Sequence, residues 1–269
     1  MKSKYDIDGF RDYLTEEELS ESSIETYVYG VKKYARMFDE ITKPNLIAFK
    51  KYLIQNFKPQ TVNIRITAIL TYCKYIGMPM KLKQVKVPKK THIDNIISME
   101  QFKYLLRCLK KDENERWYAY ILLLGKTGMR ISEALRVKKS DILNGSVDMY
   151  TKAHVRTIYF PDSLVRDITP YLNTISDGSY VMLNARGKQM AKKSVDTMLK
   201  KFSEEYGIPK EVMHAHAFRH FFAIEFLKRN SNIALLADVL GHGSVNVTQL
   251  YLRQSQQQQK EAIDEAVNW

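Results

Sequence analysis

Apolar side chains recur at spacings of three and four along most of this 269-residue chain, and one stretch shows a β pattern instead. The spacing matches the turn of an α-helix, so each stripe needs another element to bury against. Ile24, Tyr27, Val31, Tyr34 and Phe38 form one stripe after Glu21-Ser22-Ser23, and Leu46, Phe49 and Leu53 form a second after Pro44-Asn45. A third runs from Pro59-Gln60-Thr61 through Val62, Ile66, Ile69, Leu70 and Cys73 until Gly77-Met78-Pro79 ends it. Ser98-Met99-Glu100-Gln101 has the form of a capping box ahead of Phe102, Leu105, Leu106 and Leu109. Trp117 to Gly125 reads as a buried helix. The exception is Ser146–Tyr150 and Val155–Phe160, two β-patterned runs around a short polar turn, which predict a hairpin. Helical patterning returns after Pro161. The expected fold is mainly α with one small β-hairpin, an α+β arrangement.

Charge divides the chain further. The formal net charge is +12, and residues 26–90 hold fourteen Lys and Arg against only Asp39 and Glu40. The apolar stripes leave Lys32, Lys33, Lys50, Lys51, Lys58, Arg65 and Lys74 for the outer faces. A basic block interleaved with Tyr and Phe is the electrostatic footprint of a nucleic-acid binder, although charge alone also fits a solvated, lysine-rich surface. Residues 81–95 are lysine-rich, contain one proline and lack helical period, which marks a linker. The expected organisation is a helical domain over 1–85, a basic linker over 86–95 carrying Lys86, Lys89 and Lys90, and a second domain over 96–269.

Cys73 and Cys108 match no metal spacing and are expected as buried, reduced thiols. The N-terminal MKSKYDIDGF lacks the apolar core of a signal peptide, and the longest apolar run, Tyr118 to Leu124, is far too short to span a bilayer. These features predict a soluble, cytoplasmic protein with no membrane partner.

The chemistry concentrates near the end of the chain. His216-Ala217-Phe218-Arg219-His220, Leu240-Gly241-His242 and Tyr251 place imidazoles, a guanidinium and a phenol close together in a strongly basic protein. A phenol has a reference pKa of about 10 and is a poor nucleophile at neutral pH. Cations that hold a phosphate and stabilise charge at the reacting centre make its attack feasible. His216 and Arg219 stand three apart, and so do Arg130 and Glu133 in Thr127-Gly128-Met129-Arg130-Ile131-Ser132-Glu133, so each pair shares a helix face. Glu133 can support Arg130 while the remaining guanidinium donors address a ligand; alone, the pair also fits a purely structural role. His214, His216 and His220 invite a metal reading, but no cysteine or pair of carboxylates accompanies them, and no metal site is expected.

Together these segments resemble the tyrosine recombinase (phage integrase) family through nearly the whole chain. The Arg-Ile-Ser-Glu-Ala-Leu box at Arg130 is similar to the first catalytic arginine motif. His216–Arg219 matches the His-x-x-Arg box, Leu240-Gly241-His242 matches the Leu-Gly-His box, and Tyr251 follows that histidine at the family's nine-residue distance. The N-terminal helices resemble the family's core-binding domain at Ser23, Thr26 and Thr61-Val62-Asn63. The resemblance implies that Tyr251 attacks a DNA phosphate to leave a 3′-phosphotyrosyl link and a free 5′-hydroxyl. It also implies that Arg130 and Arg219 clamp the non-bridging oxygens, that His216 assists proton transfer and that His242 hydrogen-bonds the phosphate. A hairpin lysine, here Lys152, protonates the leaving 5′-oxygen. The turn departs from the common Gly-Lys-Gly by lacking both glycines.

The implied partners are double-stranded DNA and further copies of the chain, a dimer on each site and a tetramer in synapsis, with room for an accessory DNA-bending or directionality protein. No cofactor is implied. The short segment ahead of the first helices points to a compact, Xer-like or mobile-element enzyme. The helical spacing of Ala262, Ile263, Ala266, Val267 and Trp269 suggests a terminal helix that docks on a neighbouring protomer. The rival expectations are a type IB topoisomerase-like enzyme that relaxes DNA without synapsis, and a DNA-binding relative without activity.

Overall fold

Four helices absorb the apolar stripes of the N-terminal unit: α1 (Ile7–Glu16), α2 (Glu21–Ala35), α3 (Lys43–Asn56) and α4 (Pro59–Tyr75). The computed structural model describes residues 5–88, 95–150 and 155–241, together with 248, 251 and 264–267. The chain separates into two units, Met1–Lys89 and Lys90–Trp269. Side chains just outside the helices satisfy their first free N–H groups. Asp6 Oδ1 accepts from the Gly9 N–H at 2.9 Å, Ser20 Oγ from Ser23, and Thr42 Oγ1 from Asn45. α1 is not evident from periodicity, because its buried Phe10 and Leu14 are spaced among acidic residues.

The core of this unit is formed by Phe10, Leu14, Val28, Val31, Tyr34, Leu46, Phe49, Leu53, Ile66 and Ile69 among others. α2 packs along α4 most closely at Gly30, where an added Cβ would lie 2.8 Å from the Ala68 Cβ. Any larger residue there would force the two helices apart. Residues 81–88 run extended along the same unit. Asn63 holds Val85 by both backbone groups, at 2.9 and 3.0 Å, while Lys43 and Lys50 donate to the Lys81 and Lys83 carbonyls.

The second unit is built around α6 (Glu115–Thr127), flanked by α5 (Met99–Lys111), α9 (Asp162–Leu172) and α11 (Ala215–Leu227). The Ser98 capping box is present, with both Ser98 and Gln101 making their bonds. α6 is buried nearly all round, including Trp117, Tyr120 and Leu122 to Leu124, and it ends at Gly128. Phenols tie a loop to α6 and α9: Tyr120 on α6 donates to the Leu183 carbonyl at 2.8 Å and Tyr171 on α9 donates to the Val181 carbonyl at 2.8 Å.

Two short helices, α7 (Ile131–Ala134) and α8 (Lys139–Leu143), lead into the hairpin of β1 (Ser146–Tyr150) and β2 (Val155–Tyr159). These strands pair antiparallel, with Ser146 opposite Tyr159 and Tyr150 opposite Val155. α10 (Lys192–Glu205) and α12 (Ile233–Leu240) complete the elements around the site.

Cys73 is fully buried, whereas Cys108 is only partly so. α5 turns Phe102, Leu105 and Leu109 inward, and position 108 falls beside that stripe rather than on it. Among the described residues no helix is long and apolar enough to cross a membrane. Residues 264–266 are helical and Val267 is an exposed turn residue; the remaining residues of the expected docking helix lie outside the described residues.

Candidate active site

One buried carboxylate pairs with two of the three guanidiniums of this site. Glu133, 2% exposed, sits in the first turn of α7, where its Oε2 accepts from the Arg130 backbone N–H at 2.6 Å and its Oε1 from Arg130 Nη1 at 3.1 Å. From β2, Arg156 donates Nη2 to Glu133 Oε2 at 2.5 Å and Nε to Oε1 at 3.4 Å. Burial alone would raise the pKa of this carboxyl. The bonds from Arg156 and the Arg130 N–H, with both positive charges, outweigh burial and hold it below its ordinary value.

The same arginines grip the end of α12. A helix leaves its last carbonyls without intrahelical partners and carries partial negative charge there. Arg156 Nη1 donates to the Val239 carbonyl, Arg219 Nη2 to the Leu240 carbonyl at 2.6 Å, and Arg130 Nη2 to the Gly241 carbonyl at 3.2 Å. Three successive carbonyls thus take three different guanidiniums. Arg219 Nη1 also donates to the Gly128 carbonyl at 2.8 Å, which joins α11 to the end of α6. Arg219 is 2% exposed, and its pKa falls to about 10 through burial and the nearby Arg130 and Arg156 charges. It remains a cation at neutral pH.

Gly241 has φ +62°, and a Cβ there would collide with the Arg156 side chain, which Glu133 and Val239 hold in place. Gly241→Ala is therefore expected to cost about 1–3 kcal/mol through backbone strain and overpacking. Urea unfolding of the full chain measures the loss.

Arg130 is the exposed member of the group, with 41% of its side chain accessible. It opens onto a cleft of about 480 Å³ lined also by Ser132, Lys192, His214, His216 and Arg219. Tyr251 packs against the cluster of Ala223, Leu236 and Leu240. Its hydroxyl shares a 2.8 Å hydrogen bond with His220 Nδ1. Burial raises the pKa of this phenol, and the charges of Arg219 and Arg130 act in the opposite sense without cancelling the rise. The His216 and His220 rings meet edge to face at 4.2 Å, as i,i+4 neighbours on α11. His214 instead caps α11, its Nδ1 accepting from the Ala217 N–H at 3.1 Å. Among the described residues no three His, Cys, Asp or Glu side chains gather as metal ligands.

The expected set is thus partly assembled. Arg130, His216 and Arg219 line one cleft, Glu133 is bonded to Arg130, and Tyr251 lies within reach of the Arg130 and Arg219 charges, while Lys152 and His242 lie outside the described residues. Arg156 joins them without having been singled out, and His220, weighed in the sequence only as a possible metal ligand, joins as the partner of Tyr251. The alternation of β2 carried a signal for Arg156: positions 156 and 158 point to the buried face, where an unpaired arginine would be costly.

The candidate DNA-binding cations of the first unit fall into two groups. Lys33 lies over the Tyr52 and Phe57 rings, and Lys50 donates to the Lys83 carbonyl. Arg65 donates to the Thr26 carbonyl and stacks on Tyr29, and Lys74 pairs with Glu17 at 3.3 Å. Lys32, Lys51, Lys58 and Lys86 are exposed, and Lys89 and Lys90 lie outside the described residues.

Residues 95–258 match the model of the phage integrase family. The chain belongs to the phage integrase family. Among its relatives, the tyrosine recombinase XerA of Pyrococcus furiosus is 29% identical over 272 residues, covering 97% of this chain and 93% of that protein. Two solved structures share the integrase fold. XerH, in a post-cleavage complex with palindromic difH substrate, superposes with a TM-score of 0.71 at 20% identity over 90% of this chain and 79% of that one. A lambda integrase dimer bound to a COC′ core site gives 0.71 at 15% identity over 91% and 75%. The mainly α architecture with its two-stranded sheet is that of these integrases.

Proposed function

We infer that the chain is a site-specific DNA recombinase that breaks and rejoins duplex DNA through a 3′-phosphotyrosyl intermediate. The observation that carries the reading is the convergence of Arg130, His216 and Arg219 on one cleft, with both guanidiniums close enough to Tyr251 to act on the ionisation of its phenol. The scissile phosphate sits in that cleft. Arg130 and Arg219 direct guanidinium N–H groups at its non-bridging oxygens and stabilise the charge that builds up there; loss of one such donor commonly costs roughly 10²–10³ in rate. Tyr251 Oη attacks phosphorus as the P–O5′ bond breaks, and Lys152 delivers a proton to the departing oxygen. His216 and His242 assist at the phosphate. Attack by a different 5′-hydroxyl then reverses the step and completes strand exchange. One phosphodiester is exchanged for another, so no nucleotide hydrolysis is required.

Within this reading the first unit is a core-binding domain that grips the duplex, the lysine-rich segment around 86–95 is the linker, and the second unit is catalytic. Two copies occupy a site and four form the synapse; the lambda integrase dimer bound to a core site supports the first of these by analogy. The near full-length similarity to XerA supports a compact enzyme of that type.

The test is an SDS-resistant protein–DNA adduct that leaves a free 5′-hydroxyl, formed in EDTA, followed by recombinant product from paired sites. Relaxed DNA without paired-site product would favour the topoisomerase-like alternative, and loss of cleavage in EDTA would restore a metal role. The exposed cations are expected to dominate phosphate contact. Lys51→Gln and Lys58→Gln should each lower the slope of log affinity against log salt by about 0.9, whereas Lys74→Gln, whose ammonium is already paired with Glu17, should leave it nearly unchanged. Fluorescence anisotropy across a salt series measures these slopes.

A further inference from the structure

The Tyr251 hydroxyl has a defined partner that none of the roles above employs. His220 Nδ1 lies 2.8 Å from Tyr251 Oη, with the two rings 5.5 Å apart, inside the range required of a proton-transfer pair. Both side chains are half-buried. α11 places His220 one turn beyond His216 and next to Arg219, so one helix carries the guanidinium for the phosphate and the imidazole for the phenol. The arginines around the cleft donate hydrogen bonds but cannot accept a proton. Their charges draw the phenol toward ionisation without cancelling the effect of burial, so the hydroxyl enters the reaction protonated and needs an acceptor.

We propose that His220 is a catalytic residue whose Nδ1 orients the Tyr251 hydroxyl and accepts its proton during attack. The inference rests on Tyr251 being the nucleophile. In the step, His220 carries its own proton on Nε2 and presents the Nδ1 lone pair to the phenol. The Tyr251 Oη–H bond breaks toward Nδ1 as Oη bonds to phosphorus, the P–O5′ pair leaves with the 5′-oxygen, and that oxygen takes a proton from Lys152. His220 ends as imidazolium. The reverse step returns its proton to the phenolic oxygen when the incoming 5′-hydroxyl displaces it. His220 thus serves the nucleophile and Lys152 the leaving group, on opposite sides of the phosphorus.

The test uses the full chain and a nicked duplex recovered by SDS-resistant capture with wild-type protein from a randomised pool. Single-turnover adduct formation is measured on that duplex and on its 5′-bridging phosphorothiolate form, whose thiolate leaves without protonation. His220→Leu is expected to slow adduct formation by about 10²-fold on both substrates, whereas the phosphorothiolate should restore Lys152→Ala. His220→Asn keeps a hydrogen-bonding group near the Nδ1 position but cannot take the proton, and should remain at least about 10-fold slow. If His220→Leu does not fold, His220→Asn carries the test. Wild-type rates in the folded variants, or a His220 defect erased by the sulfur leaving group, overturn the assignment while leaving Tyr251 in place. No adduct with wild-type protein overturns the nucleophile and, with it, this inference.

Discussion

Tyr251→Phe is expected to abolish the SDS-resistant adduct while leaving duplex affinity close to that of the wild-type chain. The substitution removes one oxygen, the atom held by His220 at 2.8 Å, and keeps the ring that packs against Ala223, Leu236 and Leu240. The apolar part of the contact survives, so the fold around α11 and α12 should be retained. The guanidiniums of Arg130 and Arg219 are likewise untouched, so the cleft keeps its charge. Without the phenolic oxygen there is no bond to phosphorus to form. Adduct is measured by denaturing electrophoresis and affinity by anisotropy with the same duplex. A persistent adduct would transfer the nucleophile to another side chain, and a parallel collapse of affinity would make Tyr251 a binding residue instead.

The second large effect is expected at Glu133. Glu133→Gln keeps the volume but removes the charge that compensates Arg156, itself 7% exposed, and brings an amide N–H group against guanidinium donors. Breaking a buried ion pair from one side commonly costs about 3–5 kcal/mol, and a loss of this order is expected in urea unfolding at neutral pH. Cleavage should fall as well, because Arg130 loses the group that orients it.

The pH dependence of this loss has a definite sign. The folded-state pKa of Glu133 is lowered, so its stabilisation is fully present above the ordinary carboxylate pKa of about 4.3 and is lost as pH falls through the lower folded value. Wild-type and variant stabilities should therefore converge on acidification. A gap that stays constant across that range would mean that Glu133 acts by shape alone.

Much of the scaffold was legible in the sequence. The stripes after Glu21, Pro44 and Pro59 became α2, α3 and α4, the Ser98 capping box formed, and the two β-patterned runs paired as a hairpin. Such features depend on neighbours within a few residues, so local chemistry decides them. α1 escaped because too few apolar residues mark its inner face. The outward lysines were legible as a charge pattern, but their engagement was not. Lys50 reaches a carbonyl 33 positions away and Arg65 one 39 positions away, and no spacing rule encodes either contact.

The sequence by itself determined the element types and the order of the arginine, histidine and tyrosine motifs, because periodicity and motif spacing are properties of the chain. Only the tertiary structure decided that Glu133 serves two arginines, that Arg156 belongs with them, and that His220 meets Tyr251. The long-range bonds of the site join residues 21 to 111 positions apart across α7, β2, α11 and the end of α12. The physical reason is desolvation: once packing buries these polar groups, each needs a partner, and the folded chain determines which groups are within reach.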